Sequence, residues 1–575
     1  MKLLAKIFIL AMIVLLSNKT HAQVFFEKEG PSEKFAKLCM RFNNYHDALE
    51  EYNALLKQDT ANIDYKYNIG ICHLRLNKDK SKAIPYFQWI VKQAKYDVNA
   101  WYNLGLTYFV TGNLDKASLC FKNYIQLIDA DTNFIPASRQ LEMIDNARIS
   151  LEFPANVEVF NLGTYVNSEF PEYNPFITAN ERLLLYNVQS NRNIGSSYRY
   201  EDGYFPADIY SSNFRFGKWR RARRMNSLVN SKNIETLLSL SPNGSKLFIL
   251  QMELLKQTYE IQVATKRGRH YRDVETIFQF KDNPMNSVCI SPDNKRLYFS
   301  QNSATGLGGY DIYYKVRMPD RSWSIESYLD SNVSTIYDDI NPYFSPDGKY
   351  FYFSSQGFNS IGGFDLFKAT YANNNYEFKN ITNLGYPVNT FDDDKTISLN
   401  SSGRYAYISS LREDGYGDLD IYRVIFKDAQ AVYTIINGGI FNQDSIRLND
   451  YISEVNEEID RHNEPILKDY EIALKKKKDT AKIREIASKI KANLDADVEI
   501  CVYDLETGVY FGTYKIKAST SNYTVILPPG DWRIEFQKEG FETYTFDNIQ
   551  IEEIDLRNNF ITKHILLKKT NNNEF

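Results

Sequence analysis

Histidine and cysteine are scarce, at 6 and 5 residues in a chain of 575. Past an N-terminal leader the histidines are His46, His73, His270, His462 and His564, and they follow no metal-ligand spacing. No Gly-x-Ser-x-Gly elbow occurs, which removes the commonest way of exposing a hydrolase serine on a strand-turn-helix. These gaps argue against catalysis, and no cofactor is called for. The odd cysteine count argues against a disulfide framework: Cys39, Cys72 and Cys120 fall in helical patterns and Cys289 and Cys501 in strand patterns, so buried, unpaired thiols are expected. A charge excess of one sign is also missing. The 68 Lys and Arg against 72 Asp and Glu leave a net charge of -4 and no overall attraction for nucleic acid.

No apolar run approaches the roughly 18 residues that cross a bilayer as a helix. The longest, Ile7 to Leu16, follows Lys2 and Lys6 and precedes Thr20-His21-Ala22, the layout of a cleaved signal peptide over residues 1–22. Export is therefore expected. No cysteine stands at the cleavage point, so membrane association would come through a partner. Tyrosine and phenylalanine are abundant, at 42 and 36, which suits pleated sheet surfaces.

Internal repeats divide the rest. From about residue 32 to 131 a helix-turn-helix unit recurs, clearest in Trp101, Leu104, Gly105, Tyr108, Ala117 and Phe121, earlier in Ile69, Gly70, Ala83 and Phe87, and first in Phe35, Ala36, Ala48 and Tyr52. These spacings resemble the tetratricopeptide (TPR) pattern and imply an all-α array over 23–150, capped by a helix near 135–150. Its concave groove would be lined by Tyr67, Ile71, Leu74, Tyr102, Leu106 and Phe109, an apolar surface fit for a partner helix or equally for the chain's own 135–150 segment.

After Pro154 the pattern turns to short aromatic strands. Ser345-Pro346-Asp347-Gly348 followed by Tyr350 to Phe353 and Gly362-Gly363-Phe364-Asp365 has counterparts beginning at Ser241, Ser291, Asn400 and Thr178. Each is a hairpin between the central strands of a β-propeller blade, giving five blades over 151–430, with six as the alternative. Asn161-Leu162-Gly163 repeats as Asn383-Leu384-Gly385. The strand near 156–162 should therefore supply the outer strand of the last blade and remove the open edge. From 431 to 570 strand patterns enclose a helical insertion at 446–493, with Asp479 as an N-cap, and read as a β-sandwich.

The Ser-Pro-Asp-Gly blades resemble the propeller repeats of TolB-like (WD40-like) envelope proteins. The tail, with Leu527-Pro528-Pro529-Gly530 and Gly540-Phe541, resembles the carboxypeptidase regulatory-like domain. TPR units, propeller and sandwich in series resemble a periplasmic accessory protein of the type IX secretion and gliding machinery. That family usually adds an OmpA-like peptidoglycan-binding domain, which is not found before Phe575, so direct peptidoglycan anchoring is not expected. The resemblance implies a non-enzymatic periplasmic scaffold, associated with the outer membrane through partners among envelope, secretion-machine and outer-membrane proteins. The alternative is a module that binds glycan or peptidoglycan fragments.

Two constellations stand out. Glu172, Glu235, Asp339 and Asp394 each precede a blade signature by six residues, with Met285 breaking the series. They would form either a ring of carboxylates round the axis that takes a cation or basic segment, or a set of backbone caps. A second series, Asp208, Glu260, Asp311, Asp365 and Asp420, recurs in all five blades and suits architecture. Basic residues cluster locally: Arg215, Lys218, Arg220, Arg221, Arg223 and Arg224 around Trp219, and Lys266, Arg267, Arg269 and Arg272 around Tyr271. The two runs should merge into one flank patch able to engage an acidic partner, or else remain solvated surface.

Overall fold

A β-rich composition with few helix-forming stretches gives 29 strands and nine α-helices among the described residues of the computed structural model. The structure describes residues 30–570 apart from 198, 216–217, 242–243, 254–257, 269, 282–284, 286, 330–331, 373–374, 430–433, 477–478, 506–507, 518, 529 and 552–559. The leader at 1–22 and Arg269 lie outside the described residues.

The expected all-α TPR array is not what forms, and the multidomain fold class built on it is corrected to a mostly β chain with a small, irregular helical region. Helices α1 (Glu33–Arg41), α2 (Tyr45–Leu56), α3 (Ile63–Arg75), α4 (Ile84–Ile90), α5 (Asn99–Val110), α6 (Leu114–Leu127) and α7 (Ala137–Glu152) run from 7 to 16 residues. The middle pair is broken, because a 3-10 turn at Lys80–Ala83 precedes α4, where Pro85 cannot donate to an earlier turn. The small-against-large contacts are present locally. A Cβ at Gly105 would come within 3.0 Å of the Phe121 ring, so α5 and α6 approach closely only because that position is glycine. Such contacts pack one helix pair, whereas a superhelix needs every pair to repeat the same geometry.

Five sheets follow. Strand β1 (Val157–Asn161) is held back for the end of the ring. Blade one is β2 (Glu172–Ile177), β3 (Leu183–Val188), β4 (Asp208–Arg215), with β5 (Lys218–Trp219) and β6 (Arg223–Arg224) both on β4; blade two is β7 (Ile234–Leu240), β8 (Lys246–Glu253), β9 (Thr258–Arg267) and β10 (His270–Phe280). Blade three is β11 (Ser287–Ile290), β12 (Arg296–Asn302), β13 (Tyr310–Val316) and β14 (Ser327–Tyr328); blade four is β15 (Asp339–Phe344), β16 (Tyr350–Ser355), β17 (Asp365–Ala372) and β18 (Glu377–Asn383). In blade five, β19 (Ile397–Leu399), β20 (Tyr405–Ser410) and β21 (Asp420–Phe426) are completed by β1, in register from Val157 opposite Phe426 to Asn161 opposite Tyr422. The result is a five-bladed β-propeller.

The repeated Asn-Leu-Gly words have one job in both places. Asn161 Oδ1 accepts from the Gly163 backbone (2.8 Å) and from Asn167 Nδ2 (2.8 Å), and Asn167 takes both backbone groups of Ile421, accepting its N–H and donating to its carbonyl, each at 2.9 Å. Asn383, Gly385, Asn389 and Leu366 repeat the set in blade four. A third-strand N–H that has run out of sheet partners is thereby satisfied by one asparagine amide, which also shares the carbonyl with the Leu162 or Leu384 N–H.

The remaining strands make two facing sheets. One joins β22 (Thr434–Asn442) to β25 (Asn522–Leu527), β28 (Phe560–Thr562) and β29 (Ile565–Leu567). The other runs β24 (Tyr510–Lys515), β23 (Glu499–Asp504), β26 (Gly530–Gln537), β27 (Tyr544–Ile551). Ile436, Val502, Tyr523, Trp532 and Phe536 fill the space between them. Helices α8 (Leu448–Lys475) and α9 (Thr480–Ala487) form the insertion, rooted by Leu448 and Ile452 in the same core; Asp479 caps α9 through the Ala481 N–H. All five cysteines are buried and none forms a disulfide among the described residues.

Replacing Asn167 with Ala should cost roughly 1–3 kcal/mol, since the buried N–H of Ile421 loses its partner while the Ile421 carbonyl keeps the Leu162 N–H. Denaturant midpoints check this; a loss below about 0.5 kcal/mol would remove the amide from ring closure.

Candidate functional site: the loop face and the basic flank

One end of the propeller carries the turns between second and third strands and the crossovers between blades. Space is tight there: a Cβ at Gly362 would fall 2.4 Å from the Thr390 carbonyl of the next crossover, so the Gly-Gly-aromatic-Asp signature is a packing requirement. The chain's own helices lie against these loops. The buried Arg139 of α7 donates Nη2 to the carbonyls of Gln356 (3.0 Å) and Phe358 (2.8 Å), and its guanidinium stands 5.2 Å from the centre of the Tyr337 ring. Asn146 donates to the Ser360 carbonyl (3.2 Å), and Ser150 Oγ accepts from the Tyr386 N–H (2.9 Å). Lys80 pairs with Asp392. Asn77 Nδ2 and the Tyr204 hydroxyl both donate to Asp418, and His46 meets the Tyr204 ring edge-on at 5.4 Å. Burial raises the Asp418 carboxyl above its ordinary value and lowers His46 below its own.

This docking consumes the expected TPR groove. Phe109 stacks on Phe391 at 6.2 Å, the Tyr102 hydroxyl donates to the Ile135 carbonyl, and Tyr67, Ile71, Leu74 and Leu106 share a core with α7 and with Ile361 and Phe391 of the propeller. Sequence reasoning missed Arg139, Lys80, Asp392 and Asp418; nothing in a single chain distinguishes such clamps from ordinary surface charge.

The first acidic series is buried at the seams between blades: Glu172, Glu235, Asp339 and Asp394 are each at most 1% exposed. Each accepts from the backbone N–H and the hydroxyl of a Ser or Thr four residues earlier, namely Ser168, Ser231, Thr335 and Thr390. Each therefore caps its own crossover. The second series is positioned against the first. The backbone N–H groups of Glu172 and Asp394 bond the carbonyls of Leu419 (2.8 Å) and Phe364 (2.7 Å), the residues just before Asp420 and Asp365, and Glu235 does the same before Asp208. Acids thus meet pairwise. Burial is the main cause in every case: Glu172 is raised to about 8, Asp339 to about 7, Asp208 and Asp394 to about 6, with Glu235, Asp311, Asp365 and Asp420 also raised. At the remaining seam the partner is the buried Met285, and Glu260 instead bonds Gln262, Thr276 and Gln279 on its own blade. That one seam has Glu for Asp where the other acid is missing was the available signal of pairing.

On the flank, Arg215, Lys218, Arg220, Arg221, Arg223 and Arg224 are exposed around the buried Trp219, which packs edge-on to Tyr407 at 5.7 Å. Arg224 lies 3.7 Å from Asp208 and donates to the Arg192 carbonyl. Arg267 and Arg272 are exposed and Lys266 half-buried around Tyr271, whose hydroxyl donates to the Gly244 carbonyl; Arg267 is paired with Asp273 at 2.7 Å. Asn226 Nδ2 donates to the Tyr271 carbonyl at 3.3 Å, which ties the strand after Arg224 to the residue before Arg272. The two runs adjoin.

No family model matches the chain, and no curated protein does. Solved structures with similar regions include the β-propeller domain of the Trilobed protease from Pyrococcus furiosus (11% identity, 68% of this chain and 99% of that one, TM-score 0.23). Another is a gluconolactonase from Xanthomonas campestris (14%, 51% and 91%, 0.26), and a third is a protein of unknown function from Dyadobacter fermentans (10%, 44% and 77%, 0.29). The propeller assignment stands on the strand order and ring closure described above.

Replacing Arg139 with Ala should speed amide exchange across 137–152 and leave the 434–567 sandwich unchanged. Equal protection in variant and parent would mean that α7 is held by its apolar face alone.

Proposed function

We propose that this protein is a non-catalytic docking scaffold of the bacterial envelope, exported by its leader and engaging an acidic protein partner through the basic flank of the propeller. The observation that supports this best is the occupied loop face. Clefts with convergent polar groups are where small ligands are usually taken, and here the chain's own helices lie against the loops of blades one, four and five at that end. Among what stays exposed is a lateral set, Arg215, Lys218, Arg221 and Arg223 beside Arg272, next to the buried Trp219 and Tyr271. An array of fixed positive charges steers association and sets specificity by charge.

The resemblance to type IX secretion and gliding accessory proteins supplies the partner class, secretion-machine and outer-membrane proteins in the periplasm. A glycan-binding role is the second reading. It is favoured by Tyr510 and Phe511, aromatic side chains 51% and 46% exposed on the edge strand β24, one on each face of the sheet.

The test is a triple charge reversal, Arg221→Glu, Arg223→Glu and Arg272→Glu, in full-length protein recovered from crosslinked envelopes. Capture of secretion-machine proteins should fall at least tenfold and show the same sensitivity in the parent when salt is raised, as expected once the Debye length shortens. Recovery of polysaccharide, unaffected by the reversal and lost on replacing Tyr510 and Phe511 with Ala, would install the second reading instead. Deleting 23–150 is unsuitable because it uncovers the loop face.

A further inference from the structure

The seams hold more buried acid than their hydrogen bonds account for. Glu172 and Asp420 close the ring between blades five and one, and Asp311 and Asp339 stand at the seam between blades three and four. All four are at most 1% exposed. Oδ1 of Asp420 and of Asp311 is buried with no hydrogen-bond donor, although the other oxygen of each is engaged, Asp420 with the Tyr416 N–H and Asn161 Nδ2 and Asp311 with the Gly308 N–H, while the Asp339 carboxyl has only Thr335 and the Ser355 hydroxyl as donors. An unsatisfied buried acceptor is costly, and an unsatisfied buried anion more so.

The surroundings do not supply positive charge. On the closing seam the ionisable neighbours are Asp414, Asp418, Tyr186, Tyr210 and Tyr422, with His46 reaching only Asp418. On the other they are Asp338, Tyr313 and Tyr328, with Lys395 acting on Asp338. The two remaining acid pairs also hold an undonated buried Oδ1, on Asp208 and on Asp365, but have a cation at hand: Arg224 faces Asp208, and Arg412 acts on Asp394. The Glu260 seam, with Met285 opposite, lacks a pair altogether.

We propose that the Glu172–Asp420 and Asp311–Asp339 seams each retain one proton at neutral pH, so that one carboxyl of each pair is a neutral acid and the ring is held shut in a proton-dependent way. Protonation of one carboxyl removes the charge from a buried oxygen that has no donor, and with it the repulsion of two buried anions at one seam. The pair, not either residue alone, owns that proton.

The direction of the pH dependence follows. Burial raises Glu172 to about 8 and Asp339 to about 7, from ordinary values of 4.5 and 3.8. Between the ordinary and the raised values the native state binds more protons than the unfolded chain. Stability from these groups is therefore lost as pH rises through that window, the opposite of acid unfolding driven by salt-bridged carboxylates. This device is independent of the flank reading and survives its failure.

The experiment uses full-length protein and the isosteric variants Glu172→Gln and Asp339→Asn, singly and together, since an amide mimics the neutral acid. Thermal midpoints would be taken from about pH 5.5 to about pH 9, with and without chelator and added calcium, alongside infrared spectra in the carboxylic-acid carbonyl region. The parent midpoint should fall by several degrees across that range, chelator should leave it unchanged, and the double variant should lose most of the fall. At neutral pH the parent should show a protonated-carboxyl band that each single variant diminishes. A parent without that band, or a double variant with the parent's full pH dependence, overturns the proposal. So does a midpoint raised by calcium and lowered by chelator, which would put a cation where the proton is placed. Should the double variant not fold, the singles and the parent's infrared titration decide the matter, each having the other seam intact.

Discussion

Everything in this molecule depends on closing a ring without a covalent bond. Five sheets laid side by side leave two open edges, and the chain seals them by pairing β1 with β21 over five residues, Val157 to Asn161. That pairing joins positions more than 250 residues apart, so its loop-closure cost must be met by the contacts formed once it is made. The Asn167 amide on Ile421 and the burial of Trp219 against Tyr407 are among them. Closure also determines where the helices go. Helix α7 ends at Glu152, a few residues before Val157, so a helical region joined to the closing strand by so short a link is held beside blades four and five. It is pinned there by Arg139, Lys80 and Asn77.

The blade seams show how repeated sequence becomes repeated geometry. Apolar and aromatic side chains fill the space between sheets, but the first and third strands end before their backbones are satisfied. Asn-Leu-Gly words, Ser or Thr four residues before an acid, and Gly-Gly before an aromatic supply partners or room at those ends. Acid side chains suit this work because a carboxylate accepts from two N–H or O–H groups at once. Their use in both strands of a seam puts two of them together in a dry place, a conflict that only a proton, a cation or an arginine relieves.

Local signals were legible where one residue type had one physical task. The Asp-Gly hairpins, the words that marked the closing strand and the Asp479 cap are of this kind, and each could be placed from the chain alone. The helical region was misjudged for a related reason. Gly105 and Phe121 report that two helices touch closely, and that contact exists, but a TPR array is a statement about how successive pairs stack. Pro85 and the 3-10 turn at Lys80–Ala83 break the middle pair, and the propeller face competes for the same apolar surface. The acids were legible as two series and not as pairs, because their meeting is a property of neighbouring blades and no spacing within one blade encodes it.

The capped face changes what the rest of the surface must do. A propeller whose loop end is open can grip a ligand on its axis, where the convergent strand ends provide polar groups at several angles. Here those groups are already committed: the Gln356, Phe358 and Ser360 carbonyls to Arg139 and Asn146, and the Asp392 and Asp418 carboxylates to Lys80, Asn77 and Tyr204. Buried groups so satisfied have little to gain from a new ligand, and displacing the helices would forfeit the apolar contact of Phe109 with Phe391 as well. The docking role proposed above would then fall to side chains that still meet water. One such set is the basic run from Lys218 on β5 to Arg223 and Arg224 on β6, whose backbone is anchored by the buried Trp219, so that a partner would have to order side chains and not the strand that carries them.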